Sequence, residues 1–192
     1  MKFNFDSAKR HVKSKVNYLL KKNTTVLIGI AGGSCSGKTT FANYLGYPIL
    51  SLDDYYVGLE RMKDKNFDNP QNIDLELLTY HLKELKKGNK IYKPKYDFIE
   101  HKRKNKEIYF PKKVISLEGL FALHEKIVEH LDIKVFIEAK QETCLRRRIK
   151  RDLLERGRTE KEIMCQFNRD VIEGFVRFVL PTKRGAIVVK ND

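Results

Sequence analysis

An apolar run, Thr25 to Ala31 (TVLIGIA), leads straight into Gly32-Gly33-Ser34-Cys35-Ser36-Gly37-Lys38-Thr39 and then into a helical pattern from about Lys38 to Leu45. Nothing else in the chain restricts its fold so severely. A continuous apolar strand needs burial on both faces, which is the habit of parallel sheets covered by helices. The loop that follows has the spacing GxxxxGK[ST], in which glycines let backbone N–H groups turn inward around phosphate oxygens. The helix N-terminus adds positive potential, the Lys38 ammonium reaches the outer phosphates, and the Thr39 hydroxyl can ligate Mg²⁺.

Further short apolar runs at Pro48 to Leu52, Val114 to Leu117, Val135 to Ile137 and Ala186 to Val189 alternate with helical patterns. Strand alternating with helix predicts an α/β fold, a P-loop NTPase-type doubly wound parallel sheet of five strands flanked by helices. Residues 1–23 carry Val12, Val16, Leu19 and Leu20 at helical spacing and predict an amphipathic helix laid against the domain. Leu75, Leu78, Leu82 and Leu85 form one stripe behind Asp74, a candidate N-cap. Residues 86–113 turn polar and basic, with β-like pieces near Ile91 and Glu107, and predict an inserted hairpin. Gln141 to Glu155 and Thr159 to Val179 are two more helical patterns, with residues 145–160 as a lid region. No repeat or linker divides the chain, so residues 1–192 read as a single domain.

The 39 Lys and Arg against 25 Asp and Glu leave a net charge of +14, which favours polyanions without choosing among them. Three cysteines with no CxxC support neither a disulfide framework nor a cysteine zinc site. The N-terminal stretch lacks the apolar core of a signal peptide, and no run approaches the roughly 20 apolar residues of a membrane span. The expectation is a soluble cytoplasmic protein.

Glu118 ends the run Val114 to Leu117, where an acidic residue can hold Mg²⁺ through water. A strand ending in Glu and Gly is also common with no such role. Leu52-Asp53-Asp54-Tyr55-Tyr56 and Asn66-Phe67-Asp68-Asn69-Pro70 set carboxylates beside aromatics just past the second strand. Ligands of open α/β sheets bind at strand C-terminal ends. A carboxylate there can take the proton of a substrate hydroxyl, although the same letters suit Asx turns and loop tyrosines. Leu145, Ile149 and Leu153 repeat every fourth residue and would bury one helix face, freeing Arg148, Arg151 and Arg158 for phosphates.

Taken in order, GGSCSGKTT, DDYY, NFDNP, YDFIEHKR, LEGL, RRRIKRDLLERGR and QF resemble the uridine kinase (uridine-cytidine kinase) family from about Thr25 to Pro181. The resemblance implies that ATP or GTP donates a phosphoryl group to the 5′-hydroxyl of uridine and of cytidine in pyrimidine salvage, with Mg²⁺. It implies donor binding by Gly32, Gly33, Ser34, Cys35, Ser36, Gly37, Lys38, Thr39 and Thr40, with Arg151, Arg156 and Arg158 as lid arginines on the phosphates. Asp53 would be the general base, helped in catalysis by Lys38, Arg151 and Arg156. Asp68 would bond the ribose hydroxyls, Tyr56, Phe67, Tyr96 and Phe98 would shape the nucleoside pocket, and His101 would meet the pyrimidine at C4. Arg148 and Gln166 match its nucleoside end, and Thr39 and Glu118 the metal site. Relatives form homo-oligomers, commonly tetramers.

The family usually has His where Asn69 stands, and a Tyr-Ala-Asp segment where Arg184-Gly185-Ala186 follows Lys183. Two other readings stay open. One is a different P-loop small-molecule kinase, of phosphoribulokinase or pantothenate kinase type, against which the Tyr96 to His101 segment argues. The other is a non-catalytic, RNA-associating regulator, favoured by charge and by the lysines at 102, 104, 106, 112 and 113.

Overall fold

In the computed structural model, which describes residues 2–192, the chain begins with strand β1 (Lys2–Phe3) and helix α1 (Phe5–Leu19). Met1, the first residue of the expected 1–23 helix, lies outside the described residues. Asn4 and Ser7 form a reciprocal capping box that starts α1, with the Ser7 N–H donating to Asn4 Oδ1 at 2.9 Å. Ala8, Val12 and Val16, one side of the helix, are buried. Then come β2 (Val26–Gly32), α2 (Lys38–Leu45), β3 (Ile49–Ser51) and α3 (Leu75–Lys86). The insert holds β4 (Ile91–Lys93), β5 (Tyr96–Asp97), β6 (Lys102–Arg103) and β7 (Glu107–Tyr109). After it run β8 (Val114–Glu118), α4 (Glu125–Val128), β9 (Ile133–Glu138), α5 (Gln141–Glu155), α6 (Glu160–Gln166), α7 (Ile172–Gly174) and β10 (Ile187–Lys190).

The main sheet is parallel throughout, in the order β1-β10-β9-β2-β8-β3. It has six strands where the sequence predicts five. The extra strand is β1, whose Lys2 and Phe3 pair with Val188 and Val189. Two residues carry no periodicity, and this strand exists because the edge of β10 is available to pair. Every residue of β2 is buried, as an interior strand requires. Leu27 and Ala31 pack on one face with the leucine stripe of α3, and Val26, Ile28 and Ile30 on the other with α1 and α2. Each of the valine, leucine and isoleucine side chains contributes about 1.5–3 kcal/mol when fully buried.

The insert is a nested pair of hairpins rather than one: β4 pairs with β7, and β5 with β6 inside it. A second departure concerns α5. Its buried stripe is Cys144, Arg148 and Asp152, while Leu153 is 44% exposed. The helix lies over the glycine loop instead of on the sheet, with Arg148 reaching Ser34 Oγ, so its inner face is built from charge, not leucine. Beyond α6 the chain stays helical through two π-helical segments, Phe167–Val171 and Phe175–Val179, on either side of α7.

Candidate active site

The loop between β2 and α2 is shaped by close backbone approach. A Cβ on Gly32 would stand 2.4 Å from the Ile137 carbonyl oxygen, so only glycine lets β2 pass β9 there. Gly37, with φ of 101°, is the N-cap of α2 and has no side chain to satisfy the first-turn N–H groups. Those first-turn residues line the cleft, and the buried Ser36 hydroxyl also lacks a partner among the described residues. Lys38 spans the loop, its Nζ donating to the Gly33 carbonyl at 2.9 Å. Uncapped N–H groups and a folded-back ammonium suit a polyphosphate.

At the end of β8, Glu118 sits buried beside Thr39. Burial first, then the charge of Asp53, pushes its carboxyl up to about 7. Asp53 follows β3 in a short 3₁₀ turn, and burial raises its carboxyl too, against the pull of Lys38, Arg156 and Arg151. Two crowded carboxyls beside a hydroxyl form a hard-oxygen donor set that fits Mg²⁺. Asp54 has another task. Lys93 Nζ holds it at 2.6 Å and the Tyr96 N–H donates to it at 3.2 Å, which ties the turn to the insert. Of the two adjacent aspartates, Asp53 alone faces the cleft.

Tyr56, Phe67, Tyr96 and Phe98 form an aromatic box with ring centroids 4.9–6.2 Å apart. The Tyr56 hydroxyl donates to the Phe67 carbonyl at 2.6 Å. Tyr96 backs the box rather than lining the cleft. His101 stands 5.6 Å from Phe67, ring to ring, with φ of 52° and a buried Nδ1 that has no partner among the described residues. Asp68, 3% exposed, is raised to about 6 by burial, with Arg148 opposing the rise. A cleft of about 920 Å³ joins this box to the glycine loop.

Over the cleft, four arginines surround the fully buried Asp152, with Arg151 Nε at 2.8 Å, Arg148 at 3.5 Å and Arg156 and Arg158 at 3.7 Å. Arg148 donates to Ser34 Oγ at 2.9 Å and to Gln166 Oε1 at 3.0 Å. Gln166 also accepts from Arg158, so here it positions arginines. Arg156 lies 4.4 Å over the Phe98 ring, linking the lid to the aromatic box. Residues 52–191 match the Phosphoribulokinase / Uridine kinase family. The chain belongs to this family. It is 38% identical to "Uridine kinase" of Proteus mirabilis over 181 residues, 85% of each chain, and 33% identical to "Uridine kinase" of Haemophilus ducreyi over 188 residues, 88% and 87% of the two. Its fold is similar to that of a possible uridine kinase from Bacillus stearothermophilus, with a TM-score of 0.64 and 20% identity, covering 94% of this chain and 100% of the other.

As a phosphoribulokinase/uridine kinase family member the chain uses supporting residues that sequence reasoning passed over. Arg103 donates to the Tyr55 and Tyr56 carbonyls at 2.7 Å each and pairs with Asp74 at 3.1 Å, so the insert clamps the Asp53 turn. Asn191, just past β10, donates to the Ser36 carbonyl at 2.7 Å and props the loop from behind. Arg103 closes the YDFIEHKR run without a role that the run itself discloses, and Asn191 stands in no motif. Their roles come from chain segments that meet only in the fold.

Proposed function

We propose that this family member is a uridine kinase, transferring the γ-phosphoryl group of ATP, or GTP, to the 5′-hydroxyl of uridine and cytidine. One observation carries the reading: the glycine loop with Lys38 and the Asp53-Asp68-aromatic pocket open into the same cleft of about 920 Å³. Gly32 to Thr40 cradle the donor phosphates, and Lys38 leaves the Gly33 carbonyl to meet the transferring group. Arg151, Arg156 and Arg158 exchange part of their pairing with Asp152 for phosphate oxygens. Phosphoryl transfer has little covalent work for a protein to do, so this placing of charge is most of the catalysis.

At the acceptor end Asp53 takes the 5′-hydroxyl proton, and the carboxyl raised by burial is a stronger base than an exposed one. Asp68 accepts from the ribose hydroxyls. The unpartnered His101 Nδ1 reads the base, because a neutral imidazole donates to O4 of uracil or accepts from N4 of cytosine according to its tautomer. Thr39 and Glu118 would hold Mg²⁺, which would supply neutralisation of the phosphate charge.

Among the described residues no helix is long and apolar enough to cross a membrane. The family resemblance further suggests a cytoplasmic homo-oligomer of pyrimidine salvage, which gel filtration with light scattering would check. Several lysines of the insert are already occupied: Lys102 pairs with Glu100, and Lys104 with Asp97 and Glu100, which speaks against a free polyanion surface there. The test is nucleotide consumption with Mg²⁺ against uridine, cytidine, thymidine, ribulose 5-phosphate and pantothenate. The reading expects turnover with uridine and cytidine at comparable kcat/KM and weak turnover with thymidine. Turnover confined to ribulose 5-phosphate or pantothenate would overturn it.

A further inference from the structure

Gly174 lies in α7 with helical dihedrals, φ −59° and ψ −40°, so no left-handed turn calls for glycine. A glycine inside a helix costs about 1 kcal/mol relative to alanine. Its neighbourhood explains the choice. A Cβ here would stand 2.5 Å from the Asp68 carbonyl oxygen and 2.7 Å from Asp68 Cβ. The helix therefore rests backbone to backbone on the residue proposed to bind the ribose. From below, the same residue is fixed by its N–H donating to Asn66 Oδ1 at 2.8 Å, while Asn72 holds the Asn66 carbonyl at 2.7 Å.

The next residue, Phe175, faces the glycine loop. Its ring would be 3.4 Å from a Cβ placed on Gly33 in the phosphate loop. The flanking π-helical segments, bonded i to i+5, have more residues per turn than an α-helix, so residues four apart fall closer to one line. Two stripes result. Gln166 on the first holds Arg148, and Gly174 on the same stripe meets Asp68. Phe167, Val171 and Phe175 on the second wall a small apolar cavity of about 160 Å³ together with Gly33 and Ser34.

We propose that the helix from Glu160 to Val179 is the bar that sets the acceptor carboxylate at its distance from the phosphate loop, with Gly174 as the positioning residue. This rests on the reading of Asp68 as the ribose-binding group. Gly174→Ala improves helix propensity but drives a Cβ against the Asp68 backbone, so a residue of purely structural importance predicts a less stable protein with unchanged kinetics. The proposal predicts a KM for uridine at least tenfold higher and a Kd for a non-hydrolysable ATP analogue within twofold of normal. The preference for uridine over 2′-deoxyuridine should collapse towards one, and amide hydrogen exchange across residues 64–72 should quicken at least tenfold. Glu173→Ala, on the exposed side of the same helix, is the control and should change none of these.

Uridine KM within twofold of normal, or exchange in 64–72 unchanged, overturns the proposal. A native enzyme that treats uridine and 2′-deoxyuridine alike overturns the Asp68 reading instead, and the exchange experiment still judges the helix contact. If Gly174→Ala does not fold, Phe175→Leu decides from the other stripe. It should raise the KM for ATP about fivefold and leave that for uridine unchanged, whereas the reverse pattern contradicts the two-stripe arrangement.

Discussion

The two ends of the cleft are built in opposite ways. The donor end is centred on a single stretch, Gly32 to Thr40, whose backbone N–H groups are presented by one turn and one helix start, with the lid arginines reaching it from elsewhere. The acceptor end is assembled from side chains at 53–68, 96–101 and 148–166, drawn together by the sheet, the nested insert and the helices above it. A local device tolerates change around it as long as its glycines survive. A dispersed one depends on props such as Arg103, Asp54 and Gln166, none of which needs to touch a substrate.

That contrast breaks most visibly at Asp53, the acceptor residue nearest the donor. Asp53→Asn keeps the shape and removes the base, so kcat should fall about 10² to 10⁴-fold with the KM for uridine little changed. A loss under about tenfold in steady-state kinetics would remove Asp53 as base, and Asp54 could not replace it while held by Lys93. Next comes Lys38→Ala, which deletes one charge from the donor end without touching the core. A loss of about 10² to 10³-fold in kcat, of the size seen when one transition-state donor is removed, should accompany an unaltered circular dichroism melt.

Asp68→Asn sharpens the comparison, because activity and stability should move in opposite directions. Losing the ribose partner costs about 1–3 kcal/mol, or roughly ten- to a hundredfold in uridine kcat/KM. The ligand-free fold should gain. The Asp68 carboxyl titrates near 6 in the fold against an ordinary 3.8, so the folded state holds its proton more tightly and stability falls as pH rises between those values. Above about 6 the ionised, buried group costs up to about 3 kcal/mol. Urea melts of Asp68→Asn should show a gain of about 1–3 kcal/mol at pH 8 that shrinks towards pH 4.5. A gain independent of pH would contradict the burial of a charged carboxylate there.

The smallest effect is expected at His101. His101→Phe keeps a ring against Phe67 and should lower kcat/KM for uridine and cytidine by a similar factor, about tenfold. Full activity and selectivity in this variant would detach the Tyr96 to His101 segment from base reading.

The same division explains what was legible in the linear chain. The glycine loop, the α2 start at Lys38 and the Asp74 cap on α3 are local, and each sits where its residues imply. Interior strands were legible to within a residue or two because burial on both faces leaves a continuous apolar run. The inner face of α5 was not, because hydrophobic periodicity assumes an apolar partner, whereas Arg148 and Asp152 are buried against the glycine loop and against each other. Strand β1 and the inner hairpin β5–β6 are two-residue pairings with no pattern of their own. Arg103, Asn191 and Gly174 act across distances in sequence that no motif spans.

The central claim, that both ends serve one reaction across one cleft, is tested most directly with a bisubstrate probe, uridine joined through its 5′-oxygen to adenosine by a tetraphosphate bridge. Inhibition by this compound should be competitive against ATP and against uridine alike, with a Ki below the Kd of either substrate. Competition against only one of them, with the other substrate binding undisturbed beside the probe, would contradict the account.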